Sequence, residues 1–424
     1  MLKLVLIGAG QRGTIYADYA YRNHKAEIGA IIEPNPERRA IAQNKYQVAP
    51  EYVFEDLQSF LKKGKMGDAA ILASMDKDHY GAAMSLLDLG YDLLLEKPIS
   101  PDPSECIRIR DKGNALGRKV IVCHVLRYTT FFSTIKEILD SNDLGKIISI
   151  QHNENIGNFH MAHSFVRGNW RKAAETSPLV MQKSCHDMDI LAWLINSEAQ
   201  TISSFGDLRY FKESNAPAGS ANRCLDCPSA PDCRFDARKM YLPIRGEWPA
   251  TVVSPDQTEE GLLGALRTGP YGRCVYRCDN DVCDNQVSII RFKNGATVSF
   301  NLSAFTNKMC RTLKIMCENG EIRGDDSLNR IEVIRFACNQ ADRHDVQLIT
   351  PQVVSGFHGG GDTGLMQDFL RILESGEEGG ESRSSIDRSV ESHIMAYGAE
   401  LSRVQGRVIN LDELKRTLTE GKAE

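Results

Sequence analysis

Over roughly the first 125 residues, apolar positions come in short, nearly unbroken runs rather than singly. Leu4–Ile7, Ile28–Ile32, Ala69–Ala73, Tyr91–Leu95 and Val120–Cys123 are such runs, the pattern of strands covered on both faces. Mixed stretches between them, such as Thr14–Tyr21 and the segment running to Leu89, read as helices. Strand and helix alternating at this spacing predict a doubly wound parallel sheet with ligands at the carboxyl ends of its strands. The pattern then changes. Val287–Phe292 and Ala296–Leu302 flank Asn294-Gly295, a hairpin signal, and Leu313–Cys317 and Gly320–Arg323 extend it into an antiparallel sheet. Leu365, Met366, Phe369 and Leu370, then Ile386, Val390, Ile394, Tyr397 and Leu401, recur at helical spacing and predict two packing helices.

Composition narrows the class. A chain of 424 residues, 42% hydrophobic and 25% charged, is long enough for two or three domains and too apolar to be disordered. No apolar run approaches the roughly 20 residues of a membrane span. A net charge of −5 gives no basic footprint for nucleic acid. The amino-terminal apolar run ends in a glycine turn without a cleavage site, so it reads as a strand and the expected location is cytoplasmic. No repeat is evident, and the single biased tract is the Gly/Glu-rich stretch Glu374 to Glu381.

The first strand leads into Gly8-Ala9-Gly10-Gln11-Arg12-Gly13. Such glycines allow a tight turn, close approach of a pyrophosphate, and packing of helix on strand. Glu33 ends the second strand twenty residues past Gly13, where a carboxylate can accept from ribose hydroxyls and repel the extra phosphate of NADP. NAD is therefore the expected cofactor, with Arg38 and Arg39 read as a solvated helix face. Contacts are expected from Gly8, Gly10, Gln11, Arg12, Gly13, Glu33, Ser74, His79, Glu96 and Lys97. Lys97 follows a buried strand, a setting in which partial desolvation suits a lysine to proton transfer.

Polar and aromatic groups are dense from His160 to Arg171, as sugar sites require. Arg127, Tyr128, His160, His163, Arg167, Trp170, Asp187 and His358 are the candidate substrate residues. Lys183, His186, Asp187 and Ile190 fall three and four apart, which on one helix puts them on one side. Lys183 and His186 join Lys97 as candidates for proton transfer. Three glycines after His358 suggest a loop that approaches something closely, with Asp362 as a cap of the following helix.

Six of the twelve cysteines fall in an irregular segment at about 211–285. Clustered cysteines in a reducing compartment favour a metal over disulfides. Cys224, Cys227 and Cys233, completed by Cys278 or in its place Cys274, could form a four-sulfur structural site. Zinc is the first reading; an iron–sulfur cluster would use the same residues, and free thiols remain a third. The segment Asp279-Asn280-Asp281 reads as a turn.

Four features together resemble the Gfo/Idh/MocA oxidoreductases, relatives of glucose–fructose oxidoreductase and inositol dehydrogenase. They are the glycine loop, Asp78-His79, Glu96-Lys97-Pro98, and Cys185-His186-Asp187-Met188-Asp189-Ile190. The resemblance spans nearly the whole chain. It implies an α/β Rossmann domain over residues 1–123 and an α+β domain over 124–424, built on a large open, mostly antiparallel sheet that makes a homo-oligomer interface. It also implies hydride transfer between NAD and a sugar, polyol or sugar-derived alcohol. Lys97 would position the reacting oxygen, and His186 corresponds to the family histidine. Many relatives carry an aspartate four residues before that histidine, where this chain has Gln182. Asp187 or Asp189 would have to substitute, from a different helical phase. The departure leaves room for a second reading, an NAD-dependent glycosidase that oxidises, eliminates, hydrates and reduces with no net redox change. A third, a non-enzymatic cofactor-binding regulator, is disfavoured by the retention of Lys97 and His186.

Overall fold

The computed structural model describes residues 1–339, 345–354, 356–375 and 381–421, with the backbone alone at Phe357. Most of the Gly/Glu-rich stretch lies outside them. Six strands form the first sheet: β1 (Leu2–Ile7), β2 (Ala26–Ile32), β3 (Val53–Phe54), β4 (Ala69–Leu72), β5 (Asp92–Leu95) and β6 (Val120–Val122). All pair in parallel in the order β3-β2-β1-β4-β5-β6. Every predicted strand is present within a few residues. The two-residue edge strand β3 is additional, too short to leave a periodic signal. Strand order reverses between β1 and β4, and the crevice at that switch is where such sheets bind ligands.

The second sheet holds nine strands in the order β14-β13-β12-β11-β7-β10-β9-β8-β15. They are β7 (Ile147–Asn155), β8 (Ala199–Asp207), β9 (Asn285–Phe292), β10 (Thr297–Ser303), β11 (Cys310–Cys317), β12 (Gly320–Asp325), β13 (Arg330–Arg335), β14 (Asp345–Ile349) and β15 (Ile409–Asn410). Neighbours are antiparallel except β7 and β10. One face packs on helices Cys185–Ile195 and Ile386–Gln405. The other leaves Ile148, Phe205, Val287 and Ile289 exposed.

Two connections matter for function. Between the adjacent strands β8 and β9 the chain makes a long excursion, with a small core of its own from Cys224, Ala237, Tyr241, Ala250 and Leu266. Helix Gly361–Ser375 returns to the first sheet, where Leu365, Met366 and Phe369 join the core that holds Leu4, Leu6, Tyr16 and Ile31. Lys183 and His186 do not share one continuous helix, because a break at Lys183-Ser184 separates Leu179–Gln182 from Cys185–Ile195. Among the described residues no helix is long and apolar enough to cross a membrane.

Candidate active site

Gly8 has φ +87°, and a Cβ there would lie 2.4 Å from the Ala73 carbonyl oxygen, so glycine is required for the turn to pass the end of β4. At Gly10 a Cβ would meet nothing nearer than an Arg38 nitrogen at 4.0 Å. That open space sits at the start of helix Gln11–Arg22, whose first turn has no side-chain cap and can therefore receive an anion. Glu33 is buried and braces the loop: its Oε2 accepts from the Ala9 N–H at 2.7 Å and its Oε1 from the Asn35 N–H at 2.9 Å. The Ser74 hydroxyl is buried and unpartnered beside the same turn. A cradle without Cβ atoms, an uncapped helix start, an acceptor carboxylate and an orphaned hydroxyl fit a bound dinucleotide.

Three expected cofactor residues have other work. Arg12 bonds through Nε to Glu96 Oε1 at 2.7 Å and through Nη2 to Tyr16 and Asp362. Glu96 also accepts from the Tyr16 hydroxyl at 2.8 Å and the Lys97 N–H at 2.7 Å. Burial opposes the Glu96 charge, but Arg12, Lys97 and the Arg12 and Tyr16 hydrogen bonds together outweigh it and hold the carboxyl below its ordinary range. The two ring nitrogens of His79 face the Pro98 carbonyl at 2.9 Å and the Ser74 carbonyl at 3.2 Å. These bonds fix the side chains at the edge of the site and leave Arg12 Nη1 as the one guanidinium nitrogen without a bond among them.

Lys97 emerges from β5 into the crevice, and its Nζ donates to the Gln182 carbonyl at 2.9 Å. His186 starts the opposing helix and makes no hydrogen bond; its Nδ1 is fully buried and orphaned. Burial, and then the charge on Lys97, push the His186 pKa well below the histidine range, so the ring is neutral. Burial also lowers Lys183, although Glu154 opposes the shift. His358 lies with its ring 6.3 Å from that of His186 and bonds through Nδ1 to Asp362 at 2.9 Å.

The place of the missing family aspartate is filled differently. With its amide oriented to satisfy both neighbours, Gln182 donates to Asp76 Oδ2 at 2.9 Å and accepts from the Trp170 indole. Neither Asp187 nor Asp189 substitutes. Asp187 accepts from Arg311 Nε at 2.8 Å and lies 2.9 Å from His152 Nε2, and Asp189 is held bidentately by Arg127 at 2.7 Å on both sides. Both are buried and saturated. Asp187 and Arg127 are thus corrected from substrate residues to internal ion pairs. Tyr128 is corrected likewise, since its hydroxyl donates to Asp368 at 2.7 Å on helix Gly361–Ser375.

Glu154 is the residue the sequence reading lacked. It stands opposite Arg311 in the β7–β11 register and pairs with Lys183 at 3.2 Å and Arg311 at 2.6 Å, contacts that are ionic rather than well-aligned hydrogen bonds. Its signal was the alternation Ile150, His152, Glu154, which puts two polar groups at inward positions of a strand. His160 and His163 turn toward the excursion between β8 and β9. The His160 ring meets Trp248 edge-on at 5.1 Å, and His163 stacks on Tyr271 at 4.6 Å. Arg167 is buried among backbone carbonyls and sulfur atoms of that excursion, and is corrected from a substrate ligand to an anchor. Cys224, Cys227, Cys233 and Cys274 line one cavity there, whereas Cys278 stands outside it with its Sγ 3.2 Å from the Cys274 carbonyl. Of the two alternatives for the fourth cysteine, Cys274 is the one that lines the cavity.

A glycine cradle at a sheet switch point, facing a lysine–histidine pair supplied from both halves of the chain, defines a dinucleotide-dependent oxidoreductase. Residues 2–124 match the oxidoreductase family's NAD-binding Rossmann fold, and residues 136–411 match its C-terminal alpha/beta domain. The chain belongs to the Gfo/Idh/MocA oxidoreductase family and is an NAD-binding member of it. YteT of Bacillus subtilis (strain 168) is 24% identical over 359 residues, covering 81% of this chain and 82% of that protein. An inositol 2-dehydrogenase of Corynebacterium glutamicum is 23% identical over 219 residues, 50% of this chain and 59% of the relative. The chain thus spans little more than half the length of that dehydrogenase. Levoglucosan dehydrogenase, solved with NADH and L-sorbose, shares the fold with a TM-score of 0.71 at 16% identity, over 97% of this chain and 98% of that one.

Proposed function

We propose that the protein is an NAD-dependent dehydrogenase of a sugar, polyol or sugar-derived alcohol, with Lys97 and His186 as its catalytic pair. The Gly8–Gly13 loop would hold the pyrophosphate of NAD, whose nicotinamide would supply the acceptor or donor for the hydride of a carbinol carbon. Lys97, tethered by the Gln182 carbonyl, has N–H groups left to hold the substrate oxygen. His186 is neutral and unpartnered, the state in which an imidazole accepts the hydroxyl proton as the carbonyl forms. Lys183 keeps its position through Glu154, and the partly exposed His358 offers the proton an outlet toward solvent. Cofactor contacts come from the Gly8–Gly13 loop, the Glu33 carboxylate and the Ser74 hydroxyl, with NAD preferred over NADP because Glu33 repels a ribose phosphate. Trp170 and His160 form the substrate wall, backed by the buried His163 on its excursion side. The inositol and levoglucosan dehydrogenases among the similar proteins support a polyhydroxylated substrate.

The observation that carries this reading is the orphaned, neutral His186 facing the Lys97 side of the crevice. NADH absorbance is followed with NAD and a panel of sugars, polyols and aryl glycosides. Net NADH that disappears in Lys97→Ala and His186→Ala is the expected result. Aglycone release without net NADH would overturn it in favour of the redox glycosidase. A second copy of the chain covers the outer sheet face, on the argument that Phe205 is 72% exposed beside Ile148, Val287 and Ile289. Light scattering that returns a monomer for the wild type would remove that part.

A further inference from the structure

The excursion between β8 and β9 places two cysteine-bearing segments side by side. Arg223 and Arg273 form a β-bridge, and the Cys274 N–H donates to the Asn222 carbonyl at 2.8 Å. This sets Cys274 next to Cys224, and the turn through Cys227 and Cys233 closes around the same cavity. Buried against it is Arg167, whose Nη2 approaches Cys224 Sγ at 3.2 Å. Its other partners are the Arg273 and Phe235 carbonyls, both at 2.7 Å, the Met240 sulfur at 3.0 Å and the Tyr241 hydroxyl. Among the described residues no carboxylate forms an ion pair with it, and Asp236, which also lines the cavity, is engaged by Arg238 at 3.1 Å.

A guanidinium with no exposed surface and no anion is costly unless something near it is negative. Four thiols do not provide that charge, and neither would two disulfides. Four thiolates on a divalent ion do, because the assembly carries a net charge of about −2. We propose that Cys224, Cys227, Cys233 and Cys274 bind one structural zinc ion, with Arg167 as its buried counter-cation. Each thiol releases its proton as its sulfur–zinc bond forms, so the four protons leave and no electron is transferred. The four residues line one cavity, with no three of their sulfurs within 4.8 Å of one another, so binding the ion would require side-chain rotation to draw them together. Four sulfur ligands leave no open position for catalysis. The role is to staple an excursion whose own apolar core is only five residues strong.

The consequence reaches the crevice through one short segment. Arg167 ends the run Met161–Arg167, which also carries His163, stacked on Tyr271 and 3.1 Å from the Tyr241 hydroxyl. Loss of the ion therefore loosens the substrate wall and leaves the glycine cradle alone, a corollary that rests on the proposed function, whereas the ion itself does not.

Elemental analysis of the full-length protein, after dialysis under reducing conditions, tests the site without any turnover. About one zinc per chain is expected, falling below about a tenth of that in Cys227→Ser and Cys274→Ser and unchanged in Cys278→Ser and Cys310→Ser. Because the first two variants could misfold, cobalt is also exchanged into the wild type. Sulfur-to-cobalt charge-transfer bands with the intensity of a tetrahedral four-thiolate site confirm the ligand set. A folded wild type that is free of metal, with four thiols reacting with dithionitrobenzoate before denaturation, overturns the proposal. So does stoichiometric iron with acid-labile sulfide, or retention of zinc in Cys274→Ser with loss in Cys278→Ser.

Discussion

Two neighbouring residues of helix Cys185–Ile195 have opposite surroundings. Asp187, turned to the nine-stranded sheet, is bonded by Arg311 and His152, and burial is outweighed by the two together so that its carboxyl stays ionised. His186, turned to the crevice, has nothing to bond to and is kept neutral by burial. One side of the helix is scaffold; the other faces the crevice of the proposed reaction. Buried polar groups in native proteins are almost always satisfied, and His186 Nδ1 is one of ten buried side-chain atoms among the described residues that have no hydrogen-bond partner.

The largest expected effect is on the unsatisfied side. Lys97→Ala and His186→Ala each lower kcat about 10²- to 10⁴-fold while NADH affinity, read by fluorescence titration, changes little. A loss of binding equal to the loss of rate would show that the pair serves the fold. On the satisfied side, Asp187→Ala strips His152 of its partner and leaves Arg311 with Glu154 alone, and costs about 3 kcal/mol in urea unfolding, with turnover per folded molecule nearly kept. Full stability with lost turnover would invert the comparison.

Acid sharpens it further. Burial depresses His163 and His393 to about 3, and His124 and His186 fall well below the histidine range. Their folded values lie below the unfolded value of about 6.5, so the unfolded chain binds more protons as pH falls. Stability is full above about pH 6.5 and declines on acidification by up to ~1.4 kcal/mol per pH unit for each histidine. Urea midpoints at pH 7 and 5 measure this, and His163→Gln should flatten the slope. The smallest effect expected is Glu33→Gln, which weakens NAD about threefold to tenfold and narrows the preference over NADP. Equal binding of both cofactors by the wild type would remove Glu33 from that role.

Much of this was legible in the chain. The five apolar runs, the glycine loop, Glu33 and Lys97 signal themselves locally, because a buried parallel strand and a phosphate turn each need particular residues in sequence. The network of Lys183, Glu154, Arg311 and Asp187 does not. Its members come from two strands and two sides of a helix break, and only the β7–β11 register brings Glu154 opposite Arg311. The Gln182–Asp76 pairing is hidden for the same reason, since its two partners come from segments far apart in the chain. Tyr128 was misread because its partner, Asp368, lies far along the chain on a helix that folds back.

That returning helix has a bearing on how the protein is made. Leu365, Met366 and Phe369 complete the core beneath β1 and β2, so the nucleotide-binding half cannot finish folding when its own last strand is synthesised. It waits for a segment roughly 250 residues later, some tens of seconds at ribosomal speeds of about 5–20 residues per second. During that interval an apolar groove stands open on the nascent chain. Expressed alone, the first 124 residues should bind chaperones or aggregate, and supplying the helix as a separate peptide should rescue them.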